Sequence, residues 1–166
     1  MDFRQKALSL LVLGAIATTG LSARSGFTWE ELNTIDQKWP KSQSTTTGLR
    51  YLVLKEGHGE LPKSGDIVNV LYKGTFFDGR MFDQTRGPQA PFRFRLGRNE
   101  VIRGWEEGIA MMRVGEKRIL IVPYDLAYGS RGQPPRIPRQ TSLVFEVEML
   151  AIEPYSPSPA SAPAKP

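Results

Sequence analysis

The stretch EVIRGWEEG, residues 100–108, lies in the one central segment of the chain whose apolar side chains recur at helical spacing. Ile102, Trp105 and Ile109 fall on one face of a helix, and charged side chains fall on the other. Gly104 interrupts this segment, and glycine costs about 1 kcal/mol relative to alanine in a helix interior. The sequence therefore predicts a short, intrinsically weak helix that carries a tryptophan.

The sequence before and after this helix alternates with the two-residue period of β-strands. Apolar and polar residues alternate over residues 68–73 and 92–96, and most clearly over residues 143–150. The pair Asp78-Gly79 indicates a tight turn between two strands. We therefore expect an α+β fold in which a mostly antiparallel sheet is folded over one short helix.

One short helix cannot cover all the aromatic side chains of such a sheet. Six aromatic residues must share the volume between the sheet and the helix: Tyr72, Phe82, Phe92, Trp105, Tyr128 and Phe145. Either they close into a dry core, or some of them line a pocket at its edge. The pattern of the residues favours the dry core.

The composition excludes several classes of chemistry. The 166 residues include no cysteine, which rules out disulfides, thiol catalysis and cysteine metal sites. The single histidine, His58, lies in a glycine-flanked loop and cannot form a catalytic triad or a histidine metal site alone. The net charge is +5, but its densest cluster, Arg93, Arg95 and Arg98, alternates with apolar residues as on a solvated strand. We therefore expect no metal, no cofactor and no nucleic-acid partner.

The N-terminal residues have the layout of an export signal. Arg4 and Lys6 precede about 14 apolar or small residues, which is too short a run to span a bilayer comfortably. Small residues then allow cleavage after Ser22 or after Ala23. We expect a signal peptide over residues 1–23, no stable membrane span after its removal, and a periplasmic or extracellular protein. A thylakoid lumen remains the alternative location.

The segments that flank the strand-rich region differ from it in composition. Residues 24–48 form a predicted linker, in which Thr28 and Glu31 have the spacing of a capping box. A short helix is therefore expected at about residues 28–38. Residues 154–166 are rich in proline, alanine and serine, which predicts a disordered tail.

Four motifs between these flanks carry a family resemblance. In chain order they are YKGTFFDGRMFDQT, LGRNEVIRGWEEGIAMMRVGEKR, PYDLAYGSRG and IPRQTSLVFEVEML. Together they resemble the FKBP-type peptidyl-prolyl cis-trans isomerases over residues 49–153, which we take as the isomerase domain. The resemblance implies an FKBP-like fold, with an antiparallel, strongly bent β-sheet wrapped around one short α-helix and a pocket between them that receives a proline ring.

The resemblance also implies a set of site residues, carried over one position at a time. They are Tyr72, Phe82, Asp83, Phe92, Val101, Ile102, Trp105, Tyr128, Ile137 and Phe145. Trp105 matches the pocket floor, the amide of Ile102 matches a backbone donor, and the hydroxyl of Tyr128 matches a donor at the rim. We interpret Gly104 as the residue that lets the helix lie close to the sheet, so that Trp105 reaches the base of the pocket. Tight packing of the helix, without any role in the pocket, would explain the glycine equally well.

The chain departs from the family pattern in the loop after Tyr128 and beside the aspartate. Gln133 stands where many family members have histidine, and Arg136 stands where an apolar residue is common. Pro88 replaces a basic residue that often pairs with the aspartate, so either Asp83 lacks this partner or the nearby Arg86 substitutes for it. These departures bear on loop specificity and on the affinity for macrolides.

The resemblance implies a peptidyl-prolyl cis-trans isomerase that binds the proline non-covalently, and the predicted signal peptide adds the expectation that it acts on exported proteins. The expected partners are proline-containing polypeptides and macrolide inhibitors, and the expected state is a monomer. The alternative is a chaperone or assembly-binding module that keeps the pocket without needing turnover.

Overall fold

A computed structural model describes residues 26–155, so the predicted signal peptide and nearly all of the predicted tail lie outside the described residues. The helices and strands, in chain order, are α1 (Trp29–Lys38), β1 (Gln43–Ser44), β2 (Arg50–Lys55), β3 (Ile67–Thr75), β4 (Met81–Gln84), β5 (Phe92–Arg95), α2 (Arg103–Ala110), β6 (Lys117–Val122) and β7 (Leu143–Glu153). A short 3₁₀ turn, Tyr124–Leu126, follows β6.

These strands form one antiparallel sheet of seven strands in the order β1-β2-β6-β7-β3-β4, and β5 also pairs with β3. Strand β3 pairs along its whole length with β7, and its opposite edge pairs first with β5 and then with β4. The turn expected at Asp78-Gly79 joins β3 to β4, with Gly79 at a φ of 89°. The predicted α+β fold with an antiparallel sheet is confirmed.

Helix α2 lies on the inner face of the sheet, where β6 approaches it very closely. A Cβ atom at Gly104 would lie only 2.4 Å from Cγ1 of Val122, and one at Gly108 would lie 2.8 Å from Cδ1 of Leu120. Real Cβ contacts are not this short, so only glycine allows the two elements to pack at this distance. The helix interior is therefore weak in itself and is stabilised by burial of Trp105 and its neighbours.

Both ends of α2 are held by side chains. At its first turn, the Glu106 carboxylate accepts hydrogen bonds from the backbone N–H groups of Gly97 (2.6 Å) and Asn99 (2.8 Å). At its last turn, the guanidinium of Arg118 donates to the carbonyl oxygen of Met111 at 2.7 Å. The Glu106 contacts tie the preceding loop to the first turn of the helix, and the Arg118 contact satisfies the carbonyl oxygen of the C-cap residue, which has no intrahelical partner.

Helix α1 begins with the capping box expected from the sequence. The Thr28 hydroxyl accepts a hydrogen bond from the Glu31 N–H at 3.2 Å, and the Glu31 carboxylate accepts one from the Thr28 N–H at 2.8 Å. The helix packs on the outer face of the sheet through Ile35, which is buried against Ile121 and Val144. Within residues 26–155, no helix is long and apolar enough to cross a membrane.

Candidate active site

A cavity of about 220 Å³ opens between the inner face of the sheet, the start of α2 and the loop that follows the 3₁₀ turn. Nine of the ten site residues expected from the sequence line it: Tyr72, Phe82, Asp83, Phe92, Val101, Ile102, Trp105, Tyr128 and Phe145. The tenth, Ile137, does not line the cavity and is instead 1% exposed within the core. Three further side chains line the cavity and were not among the ten: Glu100, Gln133 and Arg136.

Aromatic rings surround Trp105 edge-on. The ring centroid of Trp105 lies 5.0 Å from that of Tyr72, 5.2 Å from that of Phe145 and 5.9 Å from that of Phe92, each with an interplanar angle near perpendicular. Edge-to-face packing is a favoured arrangement of aromatic pairs, so these rings hold one another in place. Trp105 is 4% exposed and Phe92 is 37% exposed, so the cavity has a buried floor and an open rim.

Strand β3 makes room for the aromatic wall at one glycine. A Cβ atom at Gly74 would lie 2.6 Å from Cζ of Phe82 and 3.0 Å from Cε1 of Phe145. The Phe82 and Phe145 rings, which are 5.7 Å apart and almost perpendicular, therefore occupy the space above this residue. Any side chain at position 74 would displace one of these rings.

The polar groups of the cavity converge on Asp83. The Tyr72 hydroxyl donates a 2.8 Å hydrogen bond to Oδ2 of Asp83, and Nη1 of Arg136 lies 3.5 Å from the same oxygen. The expectation that Arg86 would be the basic partner of Asp83 is wrong, because the guanidinium in contact with the carboxylate comes from the loop after Tyr128. The charge of the aspartate is therefore balanced from across the cavity mouth.

Both tyrosine hydroxyls of the cavity remain protonated at neutral pH. Burial raises the pKa of Tyr72 well above its usual value, and the hydrogen bond to Asp83 raises it further. Burial also raises the pKa of Tyr128, with a further contribution from the negative charge of Asp83. Within residues 26–155 the Tyr128 hydroxyl has no hydrogen-bond partner, so its proton is free to be donated into the cavity.

The backbone at Ile102 offers a second donor. Ile102 is the N-cap of α2, with extended φ and ψ of −61° and 150°, and its carbonyl oxygen accepts hydrogen bonds from the N–H groups of Trp105 and Glu106. Among the backbone hydrogen bonds of the described residues, none uses the Ile102 N–H. The first N–H groups of a helix have no intrahelical acceptor, so this donor is available to a bound ligand.

The loop after Tyr128 is closed by a pair of backbone hydrogen bonds. The N–H groups of Gln133 and Ile137 each donate to the carbonyl oxygen of the other residue, at 2.8 and 2.9 Å. This bridge draws the intervening turn together and places Gln133 and Arg136 on the cavity. The sequence had already singled out Gln133 and Arg136, because both depart from the family pattern in this loop. Across residues 26–155, no group of three or more His, Cys, Asp or Glu side chains is placed to hold a metal ion.

The chain is similar to known proteins over most of its described residues. Residues 58–150 match the family model described as FKBP-type peptidyl-prolyl cis-trans isomerase. The chain is 46% identical over 107 residues to the peptidyl-prolyl cis-trans isomerase Fkbp12 of Drosophila melanogaster, an alignment that covers 64% of this chain and 99% of that protein. It is also 46% identical over 123 residues to the FK506-binding protein 4 of Dictyostelium discoideum, over 73% of this chain but only 33% of the relative.

Solved structures are similar over the same region. The crystal structure of FkpA from Escherichia coli superimposes with a TM-score of 0.67 and 42% sequence identity, covering 75% of this chain and 57% of that one. The family model covers more than half of the chain, and the alignment with the Drosophila relative covers that protein almost completely. The chain therefore belongs to the FKBP-type peptidyl-prolyl cis-trans isomerases, a family of enzymes.

Proposed function

We propose that this enzyme accelerates rotation about X–Pro bonds in exported proteins by holding the proline in the aromatic cavity, without a covalent intermediate. The observation that carries the proposal is the set of rings packed edge-on around Trp105 at the bottom of the cavity, with polar side chains such as Asp83 and Tyr128 in the same lining. Such a site accepts a compact apolar ring and directs a few donors at the adjoining amide.

The proposed mechanism follows from the electronic change during rotation. The barrier of about 18–20 kcal/mol arises because amide resonance is broken in the twisted transition state. That state has lost charge separation, so it is less polar than either planar amide. An apolar wall formed by Phe145 and Trp105 therefore favours the twisted amide over the hydrated planar one.

Two donors are proposed to orient the substrate. The N–H of Ile102 and the hydroxyl of Tyr128 both lack acceptors among the described residues, and each is within the lining of the cavity. We assign the Tyr128 hydroxyl to the carbonyl of the residue before the proline. Because the pKa of Tyr128 is raised, this hydroxyl donates a hydrogen bond and transfers no proton. Asp83 holds the Tyr72 hydroxyl and thereby fixes one wall.

The exported location rests on the sequence of residues 1–23, which lie outside the described residues. A basic start followed by a short apolar run supports export to the periplasm or the cell exterior, with a thylakoid lumen as the alternative. Sequencing the N-terminus of the mature protein tests this directly. A mature chain that begins at Arg24 or Ala23 supports the signal peptide, and one that begins at Met1 overturns it.

The mechanism is tested by two variants of the cavity in an isomer-specific protease assay on a short X–Pro peptide. Phe145→Ala removes an apolar wall, whereas Tyr128→Phe removes only a hydroxyl and keeps the ring. The loss of one hydrogen bond costs about 1 kcal/mol, or several-fold in kcat/KM. If the apolar environment dominates, Phe145→Ala lowers kcat/KM more than Tyr128→Phe does.

Folding must be checked separately, because a buried Phe→Ala change costs roughly 3–5 kcal/mol of stability. Circular dichroism at the assay temperature shows which variants remain folded. The reverse order of the two effects in folded proteins would favour a polar mechanism. If the wild-type protein binds proline peptides without accelerating their isomerisation, the alternative of a chaperone or assembly-binding module that needs no turnover is the better description.

A further inference from the structure

The loop that borders the cavity is cationic. Residues 128–140 contain three arginines, Arg131, Arg136 and Arg139, and no acidic side chain. Only Arg136 of the three lines the cavity, and its side chain is 59% exposed. A substrate seated in the cavity therefore lies beside one accessible guanidinium.

The guanidinium of Arg136 has unused hydrogen-bonding capacity. It lies 3.5 Å from Oδ2 of Asp83, and among the described residues it makes no other ion pair or hydrogen bond. Arginine carries five N–H donors in a planar fork that can bind a carboxylate through two parallel hydrogen bonds. Most of these donors are therefore available to a ligand at the cavity mouth.

The two carboxylates of the cavity are, by contrast, already engaged by the protein. Asp83 accepts hydrogen bonds from the Tyr72 hydroxyl and from the backbone N–H of Gln84. Glu100 accepts a 2.9 Å hydrogen bond from the backbone N–H of Arg95. Hydrogen bonds from neutral donors do not cancel the charge of a carboxylate, but they use part of its acceptor capacity. Arg136 is the one cationic side chain among the described residues that line the cavity, and most of its donors are unused.

From this arrangement we infer that Arg136 is a specificity residue that favours substrates with an acidic side chain immediately before the proline. The inference rests on the proposed function, in which Tyr128 binds the carbonyl of that same residue. Tyr128 and Arg136 belong to one loop and both line the cavity. A residue whose carbonyl is bound by Tyr128 is therefore close to the part of the rim that carries the guanidinium, and we place its side chain there.

The test compares two matched peptides that differ only in glutamate or glutamine before the proline, so that size and shape stay constant. For an exposed ion pair we expect the kcat/KM of the wild-type protein to be about two- to fivefold higher for the glutamate peptide at low salt. Raising the ionic strength to about 1 M should remove most of this preference. The ratio of the two rates is the readout, because a general loss of activity cancels from it.

Three variants separate direct contact from the general charge of the loop. Arg136→Gln is expected to bring the ratio to about one, and Arg136→Lys is expected to retain part of it, because the positive charge remains. Arg139→Gln is the matched control, since Arg139 is exposed on the same loop but does not line the cavity, and it should leave the ratio unchanged.

The possible results distinguish this inference from the proposed function. A wild-type protein that isomerises neither peptide contradicts the proposed function itself. A wild-type protein that isomerises both peptides with a ratio at or below one overturns only the role of Arg136. A preference that survives Arg136→Gln, or that disappears equally in Arg139→Gln, also overturns it.

Discussion

The change Gly104→Ala should destabilise the protein, although it replaces glycine by the best helix former inside a helix. In an unobstructed helix this change would gain about 1 kcal/mol. Here the new methyl group would lie 2.4 Å from Cγ1 and 3.1 Å from Cγ2 of the fully buried Val122. Overpacking of this kind costs typically 1–3 kcal/mol, and a contact this short belongs at the upper end. We expect the free energy of unfolding to fall by about 1–2 kcal/mol, measured by urea denaturation.

A double-mutant cycle provides the control. With Val122→Ala present, the nearest atom to the new methyl group is the Cβ at 3.3 Å, so Gly104→Ala should then be nearly neutral or stabilising. If Gly104→Ala raises the stability of the wild-type protein, or if the cycle shows no coupling, the close approach of α2 to β6 does not explain the glycine. We also expect kcat/KM of the folded variant to fall, because the neighbouring Trp105 must move with the helix. Unchanged activity would mean that Gly104 serves packing alone.

Three further measurements test the fold and its electrostatics. Ile35→Ala should lower the free energy of unfolding, measured by urea denaturation, by about 2–5 kcal/mol, because Ile35 is fully buried. Trp29→Ala is the control: its side chain is 78% exposed, so the change should be less than about 0.5 kcal/mol. Burial raises the pKa of Tyr72 and Tyr128, so neither hydroxyl titrates between about pH 6 and 8 and kcat/KM should be flat over that range. The free energy of unfolding should fall above about pH 10, because the unfolded chain loses these protons at a lower pH than the folded protein does. A bell-shaped activity profile between pH 6 and 8 would mean that another group titrates in the site. Hydrogen bonds from Arg93 and Asn69 lower the pKa of Glu153. Its contribution to the stability of the folded protein is therefore complete above the usual glutamate pKa of about 4.3 and is lost as the pH falls below that value. Glu153→Gln should therefore flatten the acid limb of a plot of melting temperature against pH, and an acid limb of unchanged slope would contradict this.

The regular parts of the fold and the aromatic floor could be predicted from the sequence because they depend on local periodicity and on contiguous motifs. The alternation over residues 143–150 corresponds to the inner and outer faces of β7, where the outer face includes Val144 buried beneath α1, and the apolar face around Trp105 corresponds to α2. Both patterns can be recognised within the segment itself, without knowledge of its tertiary contacts. The sequence pattern placed the aromatic residues in the volume between the sheet and the helix, but only the family resemblance indicated that they line a pocket and do not close into a dry core.

The partner of Asp83 could not be predicted in the same way. Arg86 is close to Asp83 in sequence, and proximity along the chain made it the natural candidate. Arg136 is more than fifty residues away, and its position depends on the backbone bridge between Gln133 and Ile137. A contact of this kind depends on the conformation of an irregular loop, which hydrophobic periodicity does not describe. For the same reason Ile137 was expected at the cavity, whereas it is buried in the core.

The contribution of the N-terminal segment is likewise a property of the assembled fold. Phe76 and Phe77 are adjacent in the turn that leads from β3 to β4, and they pack on opposite sides of the sheet. Phe76 packs on Phe82 of the cavity wall, with ring centroids 5.1 Å apart. Phe77 packs against Trp39 beyond the end of α1, with its ring centroid 6.2 Å away, and its carbonyl oxygen accepts a 2.8 Å hydrogen bond from Nζ of Lys38.

A single dipeptide thus joins the outer helix to the wall of the cavity. Helix α1 precedes residues 58–150, the part of the chain that matches the family model, yet it is anchored to the sheet by the fully buried Ile35. The β3–β4 turn is held from outside by α1 and from inside by the packing of Phe76 on Phe82. Because Phe76 and Phe77 pack on opposite sides of the sheet, a shift of the turn toward either side would loosen contacts on the other. The N-terminal segment therefore helps to set the position of the aromatic wall, in addition to linking the domain to whatever precedes it.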